Sequence, residues 1–107
     1  MTVDQFCILT RALSFVAIRC AIPISVIDSP CRRRPVVFAR SILIHILRHE
    51  ASLSLNEIGL LVKRDHGTVH YLLRALDNAI ETDCSIAHES DCLIREFSAL
   101  LHHSTTP

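Results

Sequence analysis

The stretch Ser54-Leu55-Asn56-Glu57-Ile58-Gly59-Leu60-Leu61-Val62-Lys63-Arg64-Asp65-His66-Gly67-Thr68-Val69 carries two helix starts eleven positions apart. Ser54 with Glu57 three residues on is a capping box, in which the serine hydroxyl accepts from the third helical amide while the glutamate reaches back. A short helix over 55–62 follows. Asp65 is a second N-cap, and behind it Val69, Leu72, Leu73, Leu76 and Ile80 recur at helical spacing. Two helices of about eight and sixteen residues joined by a turn of three or four match a helix-turn-helix, with Ile58 and Val69 as the apolar contacts that lock the pair.

Upstream, Val3, Phe6, Leu9, Leu13, Val16 and Cys20 step by three and four along 2–21, one apolar stripe on a first helix. Residues 22–35 hold three prolines and the run Arg32-Arg33-Arg34, a charged connector with room for one short helical turn near 24–29. Pro35 suits the first turn of a helix over 36–51 that buries Val37, Ile44 and Leu47 while Arg40 and Arg48 project elsewhere. Downstream, Asp83 or Ser85 caps a last amphipathic helix with Ile86, Leu93, Ile94, Phe97 and Leu101 inward and a mostly acidic outer face, ending in a frayed tail over 102–107. The expected fold is all-α: a small bundle of about five helices forming one domain over 1–107. Its parts are a first helix (1–21), an Arg-rich connector (22–35), a long helix plus helix-turn-helix (36–83), and an acidic C-terminal helix (84–107).

A chain of 107 residues, half of them hydrophobic and only two glycine, suits one packed domain and excludes a disordered tail. Its zero net charge hides an asymmetry. Residues 1–76 carry 10 basic and 5 acidic side chains, whereas 77–107 carry one basic residue, Arg95, and six acidic ones. Ten of the eleven basic residues are arginine, whose planar fork suits phosphates and base edges. That balance favours a polyanion as partner.

Five cysteines at 7, 20, 31, 84 and 92, without a C-x-x-C pair, write neither a disulfide framework nor a zinc ribbon, so reduced thiols are expected. Cys84, His88 and Cys92 share a helix face, as do His45 with His49 and His66 with His70. No second knuckle closes a tetrahedron, however, and His45 to His49 lacks the Glu of a zinc-protease motif; no metal is expected. The cysteines have no sequence-local base for covalent catalysis, and no enzymatic step is expected. Asp4 ahead of any basic residue and Arg11 within the apolar stretch spoil the order of a signal peptide. The longest uncharged apolar run, 41–47, is far short of the ~20 residues of a membrane span. A cytoplasmic, nucleoid-associated protein without membrane or nucleotide partners is the expectation.

In a helix-turn-helix the second helix enters the major groove by its N-terminal end, which places Arg64, Asp65, His66, Gly67 and Thr68 at bases or nearby phosphates. Asp accepts from a cytosine amino group, Thr offers a hydroxyl and a methyl, and His donates to a base acceptor or packs on a thymine methyl.

Ala39-Arg40, then Ser54-Leu55-Asn56-Glu57-Ile58-Gly59, then Arg64-Asp65-His66-Gly67-Thr68-Val69 resemble, in order and spacing, the C-terminal DNA-binding domain of the bacterial replication initiator DnaA family. The resemblance covers about 22–80. It implies a domain that binds double-stranded DNA at DnaA boxes and serves replication initiation or its regulation, with replication proteins as further partners and no cofactor. It also implies roles for single residues. Counting back without a gap from Ala39-Arg40 gives Arg32 the arginine inserted in the minor groove, with Arg33 or Arg34 taking the role if the register slips. Arg40 and Arg48 match phosphate-holding positions, and Leu55 matches an apolar residue close to DNA. Asp65, His66 and Thr68 match the major-groove readers, with Arg64 beside them.

The sequence departs from the family at Gly67, usually Thr or Ser, at Lys63, often a pair of glycines, and at Asn56, often proline. No G-x-x-x-x-G-K-[ST] run is present, so the implied domain stands without the family's ATPase. Five cations at phosphates or groove (Arg32, Arg33, Arg40, Arg48, Lys63) give an expected log–log salt slope of roughly −4 to −5. The rival expectation is a helical protein-interaction module that uses the acidic last helix.

Overall fold

The computed structural model describes residues 2–103 and contains α1 (Val3–Cys20), α2 (Ile24–Ile27), α3 (Arg34–His49), α4 (Leu55–Val62), α5 (His66–Thr82) and α6 (Cys84–His103). No strand occurs among the described residues, so the fold is all-α, as expected. The sixth helix is the single turn α2 inside the connector. The tail expected from His102 is helical through His103, and 104–107 lie outside the described residues.

α3 is the axis of the core. Pro35 sits in its first turn, where the missing N–H costs nothing. Ala39, Ile42, Ile44 and Leu47 are fully buried, with Leu43 and Ile46 nearly so. Against α3 pack α1, α2, α4, α5 and α6. Val16 and Phe15 seal it from α1, and Leu93 and Phe97 from α6, where the Phe15 and Phe97 rings meet edge-on at 5.4 Å. The predicted stripe on α1 is only partly inside: Val3 and Phe6 are 79% and 57% exposed, and the helix joins the core from Ile8 and Leu9 onward. Val37, expected inside, is half-buried.

Where α3 leaves the core, the His45 and His49 rings lie 4.2 Å apart, and buried His45 Nδ1 has no hydrogen-bond partner. Burial first, then the neighbouring His49, pushes the His45 imidazole below its usual value; Asp77 on α5 opposes weakly. Because the unfolded chain then binds the proton more tightly, stability is full above the ordinary histidine value and is lost as pH falls below it. Urea melts at pH 7.5 and 5.5 are expected to show the domain weaker at the lower pH, and His45→Leu to reduce that difference.

Candidate nucleic-acid interface

α4 begins as its sequence dictates. The Glu57 amide donates to Ser54 Oγ at 3.1 Å, and the Ser54 amide donates to Glu57 Oε1 at 3.0 Å. It stops at Lys63, whose φ of 58° and ψ of 43° are left-handed. This is where the family's glycine would carry no steric penalty. The amides of Lys63 and Arg64 both donate to the Gly59 carbonyl, the latter at 2.8 Å. Gly59 is the reason the turn closes: a Cβ there would run into the Arg64 carbonyl oxygen. Ile58 and Val69, the expected lock of the pair, are both fully buried.

α5 opens at Asp65. Its Oδ1 accepts from the Thr68 amide at 3.2 Å and from the Thr68 hydroxyl, and these two bonds hold the Asp65 carboxyl below the usual carboxylate range. Asp65, His66 and Gly67 are exposed at the end of the helix, Thr68 half so. A Cβ on Gly67 would make only an ordinary 3.5 Å contact with Asp65 Oδ2. Gly67→Ala therefore fits, and urea unfolding is expected to show a gain of up to about 1 kcal/mol from helix propensity.

The connector lies against this turn. Lys63 Nζ bonds Asp28 Oδ2 at 2.9 Å, and Arg64 Nη2 donates to the Ser29 carbonyl at 2.7 Å. Arg32, Arg33 and Arg34 stay exposed. Arg32 and Arg34 edge a cleft of about 770 Å³ whose far wall includes Tyr71, Leu72 and Ala75 of α5. The connector arginines and the flank of the second helix thus share one side of the molecule.

Arg40 departs from its sequence reading. Expected to project outward and hold phosphate, it is 5% exposed and spends its guanidinium on the carbonyls of Ile27, Ser29 and Cys31. Burial, then the nearby Arg64, lowers its pKa from the usual arginine value. Arg48 remains exposed and donates to the Leu53 carbonyl at 2.8 Å, and Leu55 is half-buried. The eight residues between Arg40 and Arg48 turn the helix by about 800°, some 80° past alignment, so one arginine falls under the connector and the other in solvent. Tyr71 and Arg74, which the sequence reading did not single out, are exposed at helical spacing from Gly67 along α5. Sequence reasoning missed the connector carbonyls, which carry no side-chain signal.

The family model described as the bacterial dnaA protein helix-turn-helix matches residues 10–75, more than half of the chain. The chain belongs to the bacterial DnaA helix-turn-helix family. Its match takes in the second half of α1, all of α2, α3 and α4, and the first half of α5. As a DnaA-family helix-turn-helix it is a module that binds double-stranded DNA. No helix of the described residues is long and apolar enough to cross a membrane.

Proposed function

We propose that this DnaA-family domain reads DnaA-box-like sites in double-stranded DNA and serves replication initiation or its regulation, with replication proteins as further partners. The observation that carries the reading is the exposure of Asp65, His66 and Gly67 at the N-terminal end of α5, with exposed Arg32 and Arg33 on the connector bound to that same turn. The helix end enters the major groove, where Asp65 Oδ2 is left to accept from a base amino group while Oδ1 is held by Thr68. His66 and the backbone at Gly67 meet neighbouring bases, and Arg32, with Arg33 beside it, enters the adjacent minor groove. Arg48 and Lys63 hold phosphates, and Leu55 packs near the sugar-phosphate backbone.

With Arg40 withdrawn from the surface, four cations remain for phosphates and groove. The expected log–log salt slope becomes about −3 to −4. The test is a fluorescence titration of the chain against a duplex carrying a DnaA box and a scrambled duplex, at two salt concentrations. Tighter binding to the box with that slope supports the reading; equal affinity for both duplexes overturns box recognition. Arg48→Ala is expected to weaken both duplexes alike.

The interaction-module reading has less behind it. Leu93 and Phe97 commit one face of α6 to the core, and its acids Glu96 and Asp91 pair with Arg19 and Arg95 at 3.0 Å.

A further inference from the structure

The Arg40 side chain is buried under the connector, and each end of its guanidinium meets a backbone oxygen. Nε donates to the Ile27 carbonyl at 3.0 Å, Nη2 to Ser29 at 2.6 Å and Nη1 to Cys31 at 3.2 Å. Three alternate carbonyls of one five-residue segment therefore turn inward onto a single planar fork. The segment is shaped for this: Ser29 Oγ donates to the Val26 carbonyl at 2.6 Å and accepts from the Cys31 amide at 3.3 Å. From the other side Arg64, in the turn between α4 and α5, donates to the same Ser29 carbonyl, and Lys63 pairs with Asp28. Arg64 Nη1 is meanwhile fixed on the Val62 and Lys63 carbonyls at 3.2 and 3.0 Å. The Cys31 carbonyl is the last anchored atom before Arg32.

We propose that Arg40 and Arg64 are positioning residues for DNA recognition, clamping the connector to α3 and to the helix-turn-helix turn so that Arg32 and Arg33 stand at a fixed offset from the reading end of α5. This rests on the function proposed above. Flexible arms pay the entropy of ordering when they bind; a clamped connector has paid it on folding, and its offset also sets the register between minor-groove and major-groove contacts. A phosphate bound by Arg40 would have to pull a desolvated guanidinium away from three carbonyls. Lysine cannot replace the clamp, since its compact ammonium offers three donors from one point and cannot span the three oxygens.

Arg40→Lys, which keeps the charge, separates clamp from phosphate contact by two measurements. The first is limited trypsin digestion read by mass spectrometry, comparing cleavage after Arg32 and Arg33 with cleavage after Arg74 in α5. The clamp predicts connector cleavage about tenfold faster with Arg74 cleavage unchanged; unchanged connector cleavage overturns it. The second is a double-mutant cycle on the box duplex. Arg40→Lys is expected to lower affinity about tenfold in the parent chain and less than about twofold once Arg32→Ala and Arg33→Ala are present. Equal losses in both backgrounds overturn the positioning role. If Arg40→Lys speeds cleavage after Arg74 as much as in the connector, half-exposed Arg64→Lys carries the same pair of measurements and decides. A parent chain that does not distinguish the box from a scrambled duplex overturns box recognition instead, while the trypsin result still judges the clamp.

Discussion

Gly59→Ala is expected to destabilise the domain by about 3 kcal/mol and to lower the melting temperature by roughly 10 to 20 °C, with loss of box binding at physiological temperature. The added methyl would meet the Arg64 carbonyl oxygen, which is backbone and cannot rotate aside. Relief requires the turn to open. Opening it stretches the Lys63 and Arg64 amides away from the Gly59 carbonyl and strains the Arg64 bond to Ser29 on the connector. Overpacking alone costs about 1 to 3 kcal/mol, and each weakened hydrogen bond adds about 1. Against a total stability of about 5 to 15 kcal/mol this is a large fraction. The same change at Gly67 is expected to act in the opposite direction, so the two glycines form an internal control by thermal melting. A Gly59→Ala chain that melts within a few degrees of the parent would show that the turn is not closed by this approach.

Asp65→Ala is expected to cost about 1 kcal/mol of stability and a further ~1 to 3 kcal/mol of preference for the box over a scrambled duplex. The two losses have separate origins. Oδ1 caps α5 through the Thr68 amide and hydroxyl, while Oδ2 takes part in neither bond. Asp65→Ser keeps a capping oxygen and loses the second acceptor, so its melt should stay near the parent while its preference falls. The capping contribution is present above the ordinary carboxylate range and is lost as pH falls through the lowered value. Equal losses on box and scrambled duplexes for both substitutions would remove Asp65 as a base reader and leave it a cap alone.

Much of this was legible in the chain because capping and apolar period are local. Ser54 with Glu57 and Asp65 with Thr68 set helix starts by bonds spanning three residues, and both starts are found where the pattern puts them. The single turn at Ile24–Ile27 was allowed by the prolines around it. The exposed start of α1 was illegible for the opposite reason: Val3 and Phe6 have the right period, but burial depends on how far the neighbouring helices reach. Arg40 is the sharpest case. Its place off the apolar positions of its helix and its match to the family both suggest a surface cation, whereas its partners are carbonyls of Ile27, Ser29 and Cys31, brought over it by a chain reversal that no side-chain pattern encodes. Gly59 stood in the motif from the start, and only the approach of the Arg64 carbonyl explains it.

Box recognition as proposed requires one geometry: the end of α5 in a major groove and the connector arginines in the minor groove beside it. Dimethyl sulfate interference on a box duplex tests this directly, since the reagent methylates guanine N7 in the major groove and adenine N3 in the minor groove. The account predicts two adjacent clusters of interference, guanines in the major-groove stretch and adenines in the neighbouring minor-groove stretch, with Arg32→Ala plus Arg33→Ala abolishing only the second. Interference confined to guanines in the parent chain, or adenine interference that survives loss of both arginines, would contradict it.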